Sequence, residues 1–295
     1  MFRIAYVNGR YLPHDRALVH VEDRGFQFAD GVYEVCAVVG GALVDAEPHL
    51  DRLDRSLREV RMPWPMSRRA MLSVMREVVR RNRVIDGSIY LQVTRGAARR
   101  DFSFPEGARQ SVVMTARQTS HRRSLGLAQS GVKVISLPDI RWARRDIKSV
   151  SLLPNVLSKQ QARQAGAYEA WLVDGDGYVT EGSSSNAWIV DRDGNIVTRT
   201  VSNAILSGIT RQAVLAVARR ERVQVVERKF SVAEAQSARE AFLTSSTSFV
   251  LPIVQIDEEV IGNGHPGPVA GQLLQFFARH IADETGAKRG LSGLY

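Results

Sequence analysis

The sequence is organised around one stretch, residues 141–153, which reads RWARRDIKSVSLL. It contains Lys148, one of five lysines in a chain that has 40 lysines and arginines together. Because this sequence uses arginine wherever a positive charge suffices, a retained lysine indicates chemistry that a guanidinium cannot perform. A primary amine can lose its proton when desolvated and form an imine with a carbonyl. The mostly apolar residues 150–153 favour partial burial of Lys148, and the alternative is an ordinary surface lysine.

Length and composition describe an ordinary globular protein. The chain has 295 residues, of which 44% are hydrophobic and 24% charged, enough for two domains or one large α/β unit. Cys36 is the only cysteine, which excludes an internal disulfide framework and suits a reducing cytoplasm. We find no signal peptide and no apolar run of membrane-spanning length, so we expect a cytoplasmic protein with no membrane partner.

The formal net charge of +9 raises the question of nucleic-acid binding. Basic residues form three short clusters, at residues 80–83, 121–123 and 219–222, and no aromatic platform accompanies them. Nucleic-acid grooves combine longer basic surfaces with stacking aromatics, so solvated surfaces explain these clusters better. The surplus charge favours attraction of an anionic small molecule, and we expect no nucleic-acid partner.

Composition shifts at residues 117–130, which are polar, basic and short on apolar periodicity, and this shift predicts a domain boundary. We therefore expect two domains, at residues 1–120 and 131–295, joined by a linker at residues 121–130. Pro48 and Ser67 are expected to begin the two helices of the first domain. Short apolar runs between turn residues predict strands at residues 32–39, 42–45, 88–94, 111–115, 132–137, 168–173, 178–180, 187–190, 223–230, 241–243 and 250–256. Helical spacing predicts further helices at residues 155–165, 211–220, 232–239 and 268–283.

Two glycine- and hydroxyl-rich segments suit an anion. Gly208, Ile209 and Thr210 open a predicted helix, where backbone N–H groups carry about half a positive charge. Residues 244–248, which read TSSTS, offer hydroxyl donors in a bend between strands. Arg52 would supply a charged clamp for the same phosphate. Each feature also has an ordinary interpretation, as a helix cap, a polar turn or a solvated helix face.

Glu181 precedes a loop of small residues, 182–185, and an apolar strand. A carboxylate there can face a cleft and hold a proton on a ring nitrogen, although a solvated strand-end carboxylate is the simpler interpretation. The histidines are dispersed and no cluster has metal-ligand spacing, so we expect no metal. An imine-forming amine, an acid suited to a ring nitrogen and a phosphate cup together describe a pyridoxal phosphate site.

Five motifs resemble those of the fold-type IV aminotransferases. They are RDIKS at 145–149, EGSSSN at 181–186, GVYEV at 31–35, HLDRL at 49–53 and GITR at 208–211. The resemblance covers the chain from about Tyr6 to Ile256, and the serine-rich loop is most similar to that of D-amino-acid transaminases. It implies an α/β (α+β) fold of two domains. The small N-terminal α/β domain would precede a larger C-terminal α/β pseudo-barrel domain that anchors pyridoxal 5′-phosphate.

The resemblance also implies site residues. Lys148 would form the Schiff base with the cofactor, and Glu181 would contact its ring nitrogen. The other cofactor contacts would come from Arg52, Leu206, Ile209, Thr210, Ser246 and Thr247. The substrate would be bound by Tyr33, Arg100, Ser184, Ser185 and Phe102, with Arg100 arriving from the neighbouring subunit of a homodimer. Phe102 departs from the family pattern, because D-amino-acid transaminases typically have histidine there.

The reaction implied is a ping-pong transamination of D-amino acids to α-keto acids, with 2-oxoglutarate or pyruvate as acceptor. Branched-chain L-aminotransferases, (R)-selective amine transaminases and aminodeoxychorismate lyases share the fold and the lysine, and stay open as alternatives. Phe102 favours an amine or altered-acid specificity, whereas Arg100 and the serine-rich loop favour amino acids. Two non-enzymatic alternatives are a basic nucleic-acid-binding protein with a degenerate enzyme fold and a non-catalytic cofactor carrier.

Overall fold

The computed structural model describes residues 3–286, apart from the side chains of residues 121–123. The predicted domain ends at residues 1–2 and 287–295, and the side chains of the predicted basic cluster at 121–123, therefore lie outside the described residues. The described chain divides into two compact units. Unit one comprises residues 3–120, 147–151 and 284–286, and unit two comprises residues 121–146 and 152–283.

Unit one is an antiparallel sheet with helices. Its strands are β1 (Ile4–Val7), β2 (Arg10–Pro13), β3 (Gly31–Val39), β4 (Ala42–Leu43), β5 (Gly87–Thr94) and β6 (Ser111–Gln118). Its helices are a 3₁₀ turn (His14–Arg16), α1 (Arg24–Phe28), α2 (Ala46–Glu59) and α3 (Arg68–Arg81). The strands pair in the order β2-β1-β6-β5-β3-β4.

The core of unit one lies where α2 and α3 pack on the sheet. Leu50, Leu53 and Leu57 recur at helical spacing on α2 and are fully buried, as their periodicity predicts. The predicted N-cap of α3 is confirmed, because the Ser67 hydroxyl accepts a hydrogen bond from the backbone N–H of Ala70. The other predicted start differs, since α2 begins at Ala46, before Pro48.

Strand β3 places its alternate residues on two faces. Val32, Cys36 and Val38 belong to the core beneath the helices, and Glu34 shares their register. Tyr33 therefore points to the opposite face, because successive side chains of a strand alternate. Strand β3 thus presents Glu34 on its core face and Tyr33 on its opposite face.

Unit two is a larger mixed sheet with helices. Its strands are β7 (Val132–Pro138), β8 (Glu169–Val173), β9 (Val179–Gly182), β10 (Asn186–Val190), β11 (Ile196–Thr198), β12 (Val225–Glu227), β13 (Glu240–Ser245), β14 (Phe249–Ile256) and β15 (Glu259–Val260). Its helices are α4 (His121–Ser130), α5 (Leu153–Gln164), α6 (Ile209–Arg220), α7 (Val232–Gln236) and α8 (Pro268–Thr285), the last belonging to this unit up to residue 283.

The sheet of unit two curls back on itself. Its order is β12-β11-β10-β13-β14-β7-β8-β9, with β15 beside β14. Strands β9 and β10 are five steps apart in this order, or about 24 Å in a flat sheet. The link from Gly182 to Asn186 spans at most about 14 Å. The sheet must therefore curve, as the predicted pseudo-barrel requires.

Two boundaries differ from the prediction. Residues 121–130 form helix α4, not a linker, and belong to unit two. Leu127 and Ala128 of this helix pack on the core of unit two, a tertiary contact that the weak periodicity of the segment does not reveal. Residues 147–151 belong to unit one, because Ile147 is buried in its core and Ser149 bridges to Val32. None of the helices within residues 3–286 has the length and apolar character needed to cross a membrane.

Candidate active site

The backbone around Lys148 is fixed against β3 and α2. The carbonyl of Lys148 accepts a hydrogen bond from the N–H of Tyr33 at 3.0 Å, and Val150 N–H donates to Gly31 at 3.0 Å. On the other side the Lys148 N–H donates to the Ser56 hydroxyl of α2 at 3.3 Å. Two elements thus hold a segment that has no helix or strand of its own, and the position of Lys148 is defined by the fold.

The amine of Lys148 lies over an aromatic ring. Its side chain is half-buried, and Nζ is 4.3 Å from the centroid of the Tyr33 ring. Tyr33 stacks on Tyr90 with centroids 5.7 Å apart, and Tyr90 Oη donates to Gln92 at 2.6 Å. Burial raises the pKa of Tyr90 to about 12, so it remains a neutral donor at ordinary pH. The structure therefore brings together the predicted residues Lys148 and Tyr33.

Beneath β3 lies a buried ion cluster made of Glu34, Arg52 and His49. Arg52 donates to both carboxylate oxygens of Glu34 at 2.8 Å, and His49 Nδ1 lies 2.7 Å from the same carboxylate. Burial alone would raise the pKa of Glu34, but the Arg52 guanidinium lowers it to about 2. Burial lowers the pKa of His49 despite its contact with Glu34. Arg52 is thus held in one orientation by an anion that stays ionised.

Arg100 and Phe102 lie on the surface of unit one. Phe102 is 82% exposed and packs against Phe28 with centroids 5.6 Å apart. The Arg100 guanidinium is 5.1 Å from the Phe28 ring centroid and 5.9 Å from that of Phe102. These two predicted substrate residues are neighbours of each other, in an exposed aromatic group.

Glu181, at the end of β9 in unit two, is buried and accepts three hydrogen bonds. Arg141 Nη1 donates to Oε1 at 2.6 Å. Asn186 Nδ2 and the backbone N–H of Leu206 donate to Oε2, each at 3.0 Å. Burial raises the pKa of Glu181, and Arg141 opposes that rise. The carboxylate is fixed from three sides, which suits an acid that must face a ring nitrogen.

Helix α6 begins beside this carboxylate. Its N-cap is Gly208, so no side chain caps the first N–H groups, and the predicted anion-binding residues Ile209 and Thr210 form its buried first turn. A Cβ at Gly208 would lie 2.0 Å from Oδ1 of Asn186, the residue that holds Glu181. Glycine is therefore required for this close approach.

The serines of residues 183–185 are oriented by a buried carboxylate, Glu169. Their hydroxyls all donate to Glu169, that of Ser184 at 2.7 Å and that of Ser185 at 3.3 Å. The predicted substrate contacts of Ser184 and Ser185 stay predictions, and the visible role of their hydroxyls is to fix this loop.

The predicted phosphate donors Ser246 and Thr247 lie between β13 and β14. Ser246 is half-buried and Thr247 is exposed. The backbone of the same bend is closed by the Ser245 hydroxyl, which accepts from the N–H of Ser248 at 3.1 Å. Ser246 and Thr247 therefore lie in a bend between two strands, as predicted. Their contacts with a phosphate stay predictions.

These residues fit pyridoxal 5′-phosphate. An uncapped helix N-terminus suits a phosphate, and a buried carboxylate held by three donors suits a pyridine nitrogen. The half-buried primary amine of Lys148 suits the aldehyde. The sequence alone did not identify the residues that support these groups, namely Glu34, Arg141, Asn186 and Glu169. The available signal for Glu34 was its charge within a buried strand.

Comparisons with known proteins agree with this chemistry. A family model described as amino-transferase class IV matches residues 31–256, so the chain belongs to this family. The predicted fold type, enzyme class and pyridoxal phosphate cofactor are confirmed at the level of the family.

Relatives and solved structures span nearly the whole chain. It is 39% identical to the D-alanine aminotransferase of Bacillus licheniformis, over 94% of this chain and 97% of that one. It is 37% identical to the D-alanine aminotransferase of Listeria monocytogenes serotype 4b, over 95% and 96%. The T.th. branched-chain amino acid aminotransferase with pyridoxamine 5′-phosphate has a TM-score of 0.87 at 26% identity, covering 100% of this chain and 98% of that one.

Proposed function

We propose that this protein transfers the amino group of a D-amino acid to an α-keto acid, 2-oxoglutarate or pyruvate, with pyridoxal 5′-phosphate as cofactor. The observation that carries the proposal is the buried carboxylate of Glu181, fixed by three donors beside the uncapped start of α6. The similarity to D-alanine aminotransferases, at 37–39% identity over almost the entire chain, supports a donor of D configuration.

When bound, pyridoxal phosphate supplies an aldehyde that takes up the amino group and a ring that accepts the electrons left at Cα. Lys148 would hold the cofactor through Nζ and, once displaced, take the proton from Cα of the donor. The Tyr33 ring, 4.3 Å from Nζ, limits where that amine can lie. Glu181 would hold a proton at the ring nitrogen, which keeps the ring electron-poor.

Further residues would bind the phosphate and the substrate. Ile209 and Thr210 would donate their first-turn N–H groups to the phosphate, with Arg52, Ser246 and Thr247 as additional donors and Leu206 packed on the ring. The substrate carboxylate would be bound by Tyr33 and Arg100. Ser184, Ser185 and Phe102 would line the remainder of the substrate site.

A homodimer belongs to this proposal, with Arg100 supplied by the partner subunit. Support comes from the exposed apolar side chains of unit one, including Leu18 at 78%, Phe26 at 75% and Phe102 at 82%, because a free surface rarely collects so many. Mixing inactive Lys148→Ala and Arg100→Ala proteins tests it. Mixed dimers would regain one intact site in two, or about a quarter of normal activity in a random mixture. No recovery on mixing would contradict shared sites.

We also propose a cytoplasmic location, supported by the single cysteine, Cys36, which is buried as a free thiol. Fractionation of cells that express the protein tests this location, and recovery outside the cytoplasmic fraction would contradict it.

A second candidate function is transamination of branched-chain L-amino acids. The T.th. branched-chain enzyme supports it through its TM-score of 0.87 and 26% identity. The donor configuration separates the two candidates.

The test is a donor panel of D-alanine, D-glutamate, L-leucine and (R)-1-phenylethylamine, each with 2-oxoglutarate as acceptor. We expect kcat/KM for D-alanine to exceed that for L-leucine by about a hundredfold or more, because a substrate of the wrong configuration leaves site polar groups unpaired. Good turnover of L-leucine with failure of both D-amino acids would replace the first candidate with the second.

A further inference from the structure

We propose that Asp139 and Arg141 are positioning residues that set the charge around Glu181 and thereby control the proton on the cofactor's ring nitrogen. The inference rests on the proposed role of Glu181 and concerns side chains of unit two only.

The guanidinium of Arg141 is divided between two carboxylates. Its Nη1 donates to Glu181 at 2.6 Å, while Nε and Nη2 donate to Asp139 at 2.9 and 2.8 Å. Both carboxylates are buried, because the side chain of Asp139 is 0% exposed and that of Glu181 is 5% exposed. Asp139 thus takes the bidentate contact, and Glu181 receives a single one.

Asp139 has two further polar contacts. Thr180, the residue before Glu181, donates its hydroxyl to Asp139 at 2.8 Å, and Arg145 Nε lies 3.2 Å from the same carboxylate. Within the described residues of unit two, the charges facing Glu181 are therefore Arg141 and, behind it, Asp139. Arg145 pairs with the same oxygen of Asp139, Oδ2, as Arg141 does.

This order of charges has a chemical consequence. An arginine in contact with Glu181, acting alone, would stabilise the carboxylate and repel a proton at the ring nitrogen next to it. Asp139 offsets that positive charge. Glu181 then keeps enough negative potential to hold a protonated ring, which is the form that accepts electrons.

A purely structural role predicts something different. If Asp139 and Arg141 only stabilise the ends of the strands, removing either side chain should change the titration of the ring nitrogen in the same direction. If they set charge, removing the anion and removing the cation should move the ring proton in opposite directions. The sign of the shift therefore separates the two explanations.

The experiment is a ¹⁵N NMR pH titration of holoenzyme loaded with pyridoxal phosphate labelled at the ring nitrogen. We expect Asp139→Asn to lower the pH at which the ring proton is lost, and Arg141→Gln to raise it, each by about one pH unit or more. Asp174→Asn is the matched control, since it removes an aspartate charge from another arginine pair of unit two, with Arg199 at 2.7 Å. It should leave the titration unchanged.

Arg145→Gln is a second test if a variant at 139 or 141 does not fold, because the partly exposed side chain of Arg145 pairs with Asp139 at 3.2 Å and otherwise donates to the backbone carbonyl of Arg141 at 3.5 Å. It should shift the titration in the direction of Arg141→Gln, by a smaller amount. Unchanged titrations, or shifts of the same sign for Asp139→Asn and Arg141→Gln, would overturn the inference while leaving the proposed function intact. A wild-type protein that does not retain the labelled cofactor would instead overturn the proposed function, and this inference with it.

Discussion

Two buried glutamates, Glu34 in unit one and Glu181 in unit two, each contact an arginine but differ in how that arginine is shared. Arg52 donates from two nitrogens to Glu34, whereas Arg141 donates from one nitrogen to Glu181 and from two to Asp139. Burial favours protonation of both. Arg52 overcomes it and lowers the pKa of Glu34 to about 2, but the pKa of Glu181 stays raised.

The comparison distinguishes Glu34, whose carboxylate has a structural role, from Glu181, whose carboxylate is proposed to act in the reaction. Glu34 stays ionised at any ordinary pH and holds Arg52 and His49 in place. Glu181 is fixed by three donors, yet burial keeps its pKa raised, and the charge of Asp139 opposes the lowering by Arg141. When two buried carboxylates share one guanidinium, each is paired with a positive charge, but the pKa of the carboxyl with the single contact is not strongly lowered.

The largest expected effect is in unit one, at the amine above Tyr33. Lys148→Ala should lower kcat by at least about a thousandfold, since no other group there can form the imine and move the proton. Steady-state kinetics with D-alanine checks this. Lys133→Ala, at an exposed lysine of β7, is the control and should keep normal turnover. Near-normal activity of Lys148→Ala would remove this residue from the reaction.

The comparison itself is tested by stability. Glu34→Gln should lower the free energy of unfolding by about 3–5 kcal/mol, because it removes the buried carboxylate that pairs with Arg52. Glu181→Gln should cost less, because Arg141 keeps Asp139. Urea denaturation measures both. Glu77→Gln, in an exposed pair with Arg80 and Arg81, is the control and should change little. Equal losses at positions 34 and 181 would break the comparison.

Acid should act on the two glutamates with opposite sign. The folded-state pKa of Glu34, about 2, is below its ordinary 4.5, so its contribution is complete above about pH 4.5 and is lost as pH falls towards 2. That loss is roughly 3 kcal/mol. The pKa of Glu181 is raised, so its contribution is present at low pH and is lost as pH rises through the raised value.

Urea midpoints between pH 2 and pH 6 check this sign. The wild-type curve should fall steeply below pH 4.5, and Glu34→Gln should flatten it. Glu181→Gln should leave the fall below pH 4.5 unchanged and should remove the loss of stability that Glu181 causes as the pH rises above about 4.5. A Glu34→Gln curve parallel to the wild-type curve would show that this pair does not dominate acid stability.

The smallest expected effect is at the start of α6. Gly208→Ala should weaken pyridoxal phosphate binding about tenfold, because the added methyl group displaces Asn186 from Glu181 and moves the first turn. Equilibrium binding of the cofactor to apoenzyme measures the change. Gly271→Ala in α8, where an added Cβ meets nothing within 4 Å, is the matched control. Unchanged affinity in Gly208→Ala would show that this close approach does not matter for the cofactor.

Much of the fold was predictable, because strong periodicity identifies elements. The stripe Leu50, Leu53 and Leu57 and the Ser67 cap indicated α2 and α3. Helix α4 was missed because it depends on packing against its unit rather than on its own pattern. The five-residue helix α1 was missed because Asp23 and Gly25 are typical of a turn, although Asp23 accepts from the Gly25 N–H as its N-cap.

The site was predictable only in part, for a related reason. Lys148 and Glu181 attract attention through residue type and neighbouring loops. Their supporting partners do not, because pairs such as Glu34 with Arg52 or Glu181 with Arg141 join residues 18 and 40 positions apart. Such pairing depends on the folded register of strands and helices, which one sequence does not display.

The central claim is that Lys148 carries the cofactor, and borohydride reduction followed by tryptic peptide mapping tests it most directly. Trypsin cannot cut after a modified lysine, so we predict a pyridoxyl-bearing peptide that runs from Asp146 through Lys148 to Lys159. A pyridoxyl group on another lysine, or on none in a protein that turns over D-alanine, would contradict the account.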